Sequence, residues 1–290
     1  MDLDLSNAEL AEAFRAYDYI CGQDVLLPVY LALRLHKPLL VEGAPGVGKT
    51  EIAKVLAKIL DVELIRLQCY EGLDENKALY EWNYQRQLLR IQMGRDARES
   101  DLFTEEYLLM RPLLRAIRSA TRPVLLIDEV DKVDEAFEAF LFELLSDFQV
   151  SIPELGTLTA DHIPVVVLTS NSERELSDGL KRRCIYLYID FPSPEREVEI
   201  IRARAPAVPA ALARQISLAM HFLRTGLDLR KKPSIAETLD WAQALLSLGI
   251  GELDAAVVAG TAGMILKNHS DLETLARELD ANGLKRLLNA

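Results

Sequence analysis

The residues GAPGVGKT, Gly43 to Thr50, satisfy the pattern GxxxxGK[ST] in full. Such a loop cradles phosphate. Gly43, Gly46 and Gly48 let backbone N–H groups wrap phosphate oxygens, Pro45 and Val47 belong to the same cradle, Lys49 neutralises β- and γ-phosphate charge, and Thr50 offers a hydroxyl to magnesium. A second group lies in VLLIDEVDK, where Asp128 and Glu129 end an apolar run. Two carboxylates beside a phosphate cradle call for a cation: Asp128 is expected to hold the magnesium through water, and Glu129 to polarise the water that attacks the γ-phosphate. This pair favours hydrolysis over transfer to another acceptor. Asp131 and Asp134 read as solvated or helix-capping residues. Asn171 ends the run VVVLTSN, which places an amide at the same level to hold the attacking water. Arg182 and Arg183 follow in SDGLKRRC, and they are expected to face outward and stabilise phosphoryl charge in trans. The cofactors implied are a nucleoside triphosphate and Mg2+.

These residues need elements that deliver them to one edge. Leu39 to Val41 reads as a strand before the loop, and Ile52, Val55, Leu56 and Ile59 give the segment after it a helical spacing. Val124 to Ile127 and Val165 to Leu168 are continuous apolar runs of the kind buried on both faces, and a further strand is expected from Cys184 to Phe191. Helical segments separate the strands, so the expected fold class is α/β, a parallel sheet sandwiched by helices. Short alternating runs around Gly156 predict a β-hairpin near residues 149–161. Pro192 and Pro194 then break structure, and the rest reads as helices. The expected division is residues 1–191 as the nucleotide-binding α/β domain and 192–290 as a small all-helical lid with C-terminal helices.

Composition narrows the function classes. With 290 residues, 50% hydrophobic and 27% charged, the chain reads as a globular protein. A net charge of -12 and a pI near 4.9 argue against a general nucleic-acid binder, so no nucleic-acid partner is expected. Cys21, Cys69 and Cys184 are odd in number and widely spaced, which suggests neither a disulfide framework nor a zinc site and points to a reducing, cytoplasmic compartment. No apolar run is long enough to span a bilayer, which leaves peripheral association at the inner face of the membrane open. His162 and His269 lack ligand-type partners at useful spacing and read as structural. Tyr70, Tyr80, Trp82 and Tyr84 read equally as a contact surface and as core.

The order of these features resembles an AAA+ ATPase over about residues 7 to 250: Walker A at Gly43 to Thr50, Walker B with Asp128 and Glu129, sensor 1 at Asn171, and Arg182 and Arg183 as arginine fingers. The hairpin VSIPELGTLTAD resembles the pre-sensor 1 insertion of a clade that includes the MoxR family. The phrases RLQCYEGLDENKALYEWNYQRQLLRIQ, FLFELLSDFQVSIPELGT and KKPSIAETLDWAQALL look like the CoxD-type subgroup. The resemblance makes the nucleotide ATP and implies a homo-oligomer, a hexameric ring, acting as an ATP-driven chaperone. Its client would be an apo-enzyme such as carbon monoxide dehydrogenase or a related molybdenum hydroxylase during metal-cluster maturation, alongside a von Willebrand factor A domain protein. Relatives often place an arginine at sensor 2, whereas this chain offers Arg230, Lys231 or Lys232, of which Lys232 is the candidate. Two rival readings use the same phosphate chemistry: a nucleic-acid remodelling motor, and an ATP-dependent assembly switch or scaffold.

Overall fold

The computed structural model describes residues 5–93 and 102–288, which fold as two compact units. One takes in the chain through Leu10, Gln23–Gly43 and Lys49–Tyr188. The other takes in Ala11–Gly22, Ala44–Gly48 and the chain from Ile189 onward.

In chain order the strands are β1 (Leu39–Gly43), β2 (Leu64–Gln68), β3 (Tyr80–Trp82), β4 (Leu108–Met110), β5 (Val124–Asp128), β6 (Gln149–Ile152), β7 (Gly156–Thr159), β8 (Val165–Ser170) and β9 (Ile185–Ile189). Five of them form one sheet in the order β2-β5-β8-β1-β9, with β2 parallel to β5, β5 to β8 and β8 to β1. The expected α/β class is therefore the observed one. Every residue of β5 and β8 is buried, as central strands covered on both faces require. Register then sets the site. Gln68 pairs with Asp128, Ile127 with Leu168, and Glu42 with Ser170, so the carboxyl ends of four neighbouring strands stop at one level.

One strand expectation needs correction, and one strand lies outside the expectations. The strand expected from Cys184 to Phe191 runs only from Ile185 to Ile189, because the Cys184 N–H donates to Lys181 O (3.2 Å) to close the preceding helix. At its other end the Phe191 N–H is taken by the Asp190 carboxylate (2.7 Å). Strand β2 is the one outside them: LIRLQ alternates buried and exposed positions at the edge of the sheet and lacks a continuous apolar run. β6 and β7 form an antiparallel hairpin, and β3 pairs with β4 in a separate ribbon. No helix among the described residues is long and apolar enough to cross a membrane.

The first unit's core includes Leu40, Ile65, Leu125, Ile127, Val166 and Leu168 from the sheet, packed with residues such as Leu113, Ile117 and Leu141 of the helices Pro112–Ile117 and Glu135–Asp147. The second unit has its own core around Ile216, Met220, Leu223, Trp241 and Val258. Within it lies a buried ion pair. Both Glu197 oxygens accept from the Arg224 guanidinium (2.8 and 2.9 Å), Thr238 Oγ1 donates to Glu197 Oε1 (2.8 Å), and Arg224 Nε donates to the Pro233 carbonyl (2.8 Å). Arg224 thus fixes the approach to the helix Ile235–Ser247, which a reciprocal Ser234–Glu237 capping box begins. Glu197→Ala is expected to cost about 3–5 kcal/mol, because it strands a buried guanidinium. Urea unfolding followed by the buried Trp241 in a Trp82→Phe background would measure this, and replacing both ion partners by apolar residues should recover much of the loss.

Candidate active site

The helix Lys49–Ile59 begins at the lysine of the phosphate loop, so its own first N–H groups and its dipole would face a bound anion. Gly46 and Gly48 adopt φ of +75° and +97°, a conformation that side-chain-bearing residues disfavour. Gly46 is also closed to a side chain, since a Cβ there would fall 2.5 Å from Ser234 Cβ. Lys49 is buried, and its Nζ donates to Gly43 O (2.6 Å) and Asn171 Oδ1 (2.8 Å). Burial pulls the Lys49 pKa below its ordinary value, against the opposing pull of Asp131, Asp128 and Glu129. The ammonium is thus desolvated within a carboxylate field, and added phosphate charge would stabilise it further.

At the end of β5, Asp128 is almost fully buried. Its Oδ1 accepts from Thr50 Oγ1 (3.0 Å) and Thr169 Oγ1 (2.5 Å), and its Oδ2 from Arg66 Nε (3.1 Å). A hydroxyl and a carboxylate side by side are the hard oxygen donors that suit Mg2+. No cluster of three or more His, Cys, Asp or Glu side chains suited to a metal occurs among the described residues. The donor set therefore fits an ion completed by phosphate oxygens and water rather than one caged by protein. Glu129 follows in the left-handed region (φ +58°), its N–H donated to Thr169 Oγ1 (2.9 Å). Its Oε2 accepts from Gln68 Nε2 (3.0 Å) and Lys132 Nζ (2.6 Å), so the carboxylate is held toward β2 and its own turn.

The expected residues come together only in part. Lys49 is hydrogen-bonded to Asn171, and in a second group Thr50 is hydrogen-bonded to Asp128, which Glu129 joins through Thr169. Arg182 and Arg183 are exposed at the end of the helix Asp178–Arg183, where the Arg183 guanidinium lies 4.5 Å from the centre of the Phe142 ring. Lys232 is exposed; the side chain lying against the loop is Ser234, two residues later. Tyr70 and Tyr84 are exposed, whereas Trp82 is buried against Phe103. Asp134 caps the helix Glu135–Asp147 through the Phe137 N–H. Asp131 is a correction: it is 4% exposed rather than solvated, because its Oδ2 accepts from the backbone N–H groups of Asn171 and Glu173, both at 3.0 Å. Arg66, Gln68, Lys132 and Thr169 were not foreseen. The period-two alternation of LIRLQ could have placed the first two beside the carboxylates.

Known proteins share the fold that carries these residues. The Lon protease of Helicobacter pylori is 25% identical over an alignment of 173 positions that covers 55% of this chain and only 18% of that protein. The gas vesicle ATPase GvpN of Haloferax mediterranei is 24% identical over 265 residues, 86% of this chain and 74% of that protein. Among solved structures, RuvB of Thermotoga maritima, described as a Holliday junction branch migration motor, superposes with a TM-score of 0.50 at 19% identity over 84% of this chain and 70% of that one. A variant of the same protein gives 0.51 at 21% identity over the same shares. These likenesses speak to the fold. Residues 38–184, half of the chain, match the model of the AAA domain of the dynein-related subfamily, and the chain belongs to that family.

Proposed function

We propose that this chain is a Mg2+-dependent ATPase of the MoxR type, CoxD-like, which works in a ring of identical subunits and spends ATP hydrolysis on remodelling a client apo-enzyme. The reading rests on one observation. Lys49, the hydroxyl of Thr50, the buried Asp128, the turn-borne Glu129 and the amide of Asn171 meet where four parallel strands end. Lys49 would take the β- and γ-phosphates, with the backbone from Gly43 to Gly48 around them and Lys232 as a further phosphate contact. Thr50 and Asp128 would hold the ion, which supplies charge neutralisation on the phosphate oxygens. Glu129 would accept the proton of the attacking water, and Asn171 would orient that water. The match to GvpN along most of the chain supports the MoxR assignment. The CoxD-like subgroup, with its molybdenum hydroxylase client and von Willebrand factor A domain partner, rests on the resemblance of the sequence phrases.

Arg182 and Arg183 are proposed to act on a neighbouring subunit's γ-phosphate. Replacing both by alanine should lower hydrolysis by about 10³-fold, the lower end of what an arginine supplied in trans contributes. The double variant, inactive alone, should regain hydrolysis when mixed with Glu129→Gln subunits, since the mixture restores interfaces with an intact arginine and an intact glutamate. Mixtures no more active than their components would contradict action in trans. Affinity capture with the Glu129→Gln protein held in ATP tests the client. Recovery of an immature molybdenum hydroxylase supports the chaperone reading, recovery of nucleic-acid enzymes favours a motor, and recovery of the protein alone favours an assembly switch.

A further inference from the structure

Asp131 lies beyond the phosphate loop and the two terminal carboxylates of β5, yet it is buried to 4% exposure in the turn Val130–Lys132. Its Oδ2 accepts two backbone N–H groups from another strand end, those of Asn171 and Glu173. Between them sits Ser172 with φ +59°, a left-handed conformation that L side chains disfavour. Asn171 in turn accepts from Lys49 through Oδ1 at 2.8 Å. One carboxylate therefore bridges the turn that carries Glu129 and the turn that carries Asn171. A backbone held in such a region persists when its surroundings over-determine it, and here two hydrogen bonds flank the strained residue.

We infer that Asp131 is a positioning residue: by accepting the Asn171 and Glu173 N–H groups it holds the Ser172 turn, and so aims the Asn171 amide at Lys49 and the phosphoryl group. This rests on the hydrolase reading above. Asp131 touches neither nucleotide nor water in this role; it acts through Asn171. Its Oδ1 is buried without a hydrogen-bond partner, so the two-acceptor arrangement is carried by Oδ2 alone. An asparagine side chain can place its single carbonyl oxygen at that point and accept both N–H groups, which separates the hydrogen bonds from the charge.

The test uses the full chain with MgATP. Asp131→Ala should lower kcat by about 30- to 100-fold, while the Kd for a fluorescent ATP analogue stays within about threefold, because the phosphate loop is untouched. Amide exchange at Asn171 and Glu173 should quicken in the same variant. Asp131→Asn should keep kcat within about threefold and exchange near wild type. Adding Ser172→Gly to Asp131→Ala should recover at least about tenfold in kcat, since glycine adopts the turn without a brace. Three results would overturn the inference: Asp131→Ala within twofold of wild type, nucleotide affinity falling in step with kcat, or Asp131→Asn impaired more than about tenfold. The last would mean that the charge matters rather than the hydrogen bonds, and it can be read even if the alanine variant does not fold. Absence of hydrolysis by the wild-type chain would instead sink the hydrolase reading, so the two failures are distinguishable.

Discussion

Lys49→Ala is expected to lower kcat/KM for MgATP by roughly 10⁴-fold, a combined loss of binding and of transition-state stabilisation. The side chain is buried at the start of the helix Lys49–Ile59, and its ammonium donates to Gly43 O and Asn171 Oδ1. It is also the cation on which Asp131, Asp128 and Glu129 act. Alanine leaves those acidic groups facing a polyanion without that compensation, so the backbone cradle alone would have to attract phosphate against like charge. A fluorescent ATP analogue should bind at least about 100-fold more weakly, and the remaining loss should appear in kcat. Circular dichroism of the same variant checks that the fold persists. Unchanged analogue affinity in a folded Lys49→Ala protein would mean that the anion sits elsewhere.

Glu129→Gln should behave in the opposite way toward binding. Glu129 lies at the end of β5 but outside the phosphate loop, and its carboxylate contacts Gln68 and Lys132. Removing its charge should leave nucleotide affinity within a few-fold and lower kcat by roughly 10²- to 10⁴-fold, the range associated with loss of a general base. The amide also loses the ion pair to Lys132, whose pKa Glu129 raises by hydrogen bonding, and this half-buried pair, still open to solvent, carries little stability. Single-turnover phosphate release, measured beside analogue binding, separates the two effects. A kcat within tenfold of wild type would place the water-activating base on another residue.

These contrasts follow from how much of the site the sequence carried. The phosphate loop was legible because its glycines, lysine and threonine are set by local backbone geometry, and β5 and β8 because burial on both faces forces continuous apolar runs. Strand β2 was not, since an edge strand buries only alternate residues and LIRLQ includes Arg66 and Gln68 among its polar positions. Missing it hid the groups that hold Asp128 and Glu129. Asp131 was misread for a different reason. Its burial comes from a turn forty positions further along the chain, a pairing that no local pattern reveals. The aromatic segment divides for the same cause: Trp82 is buried in a strand paired with β4, while Tyr84 starts an exposed helix.

The most direct measurement is steady-state phosphate release from MgATP by the wild-type chain over a range of protein concentrations, with Lys49→Ala as the control. Specific activity should rise with concentration as subunits assemble and supply Arg182 and Arg183 to one another, and it should vanish without Mg2+. Phosphate release no greater than that of Lys49→Ala at any concentration would contradict the account.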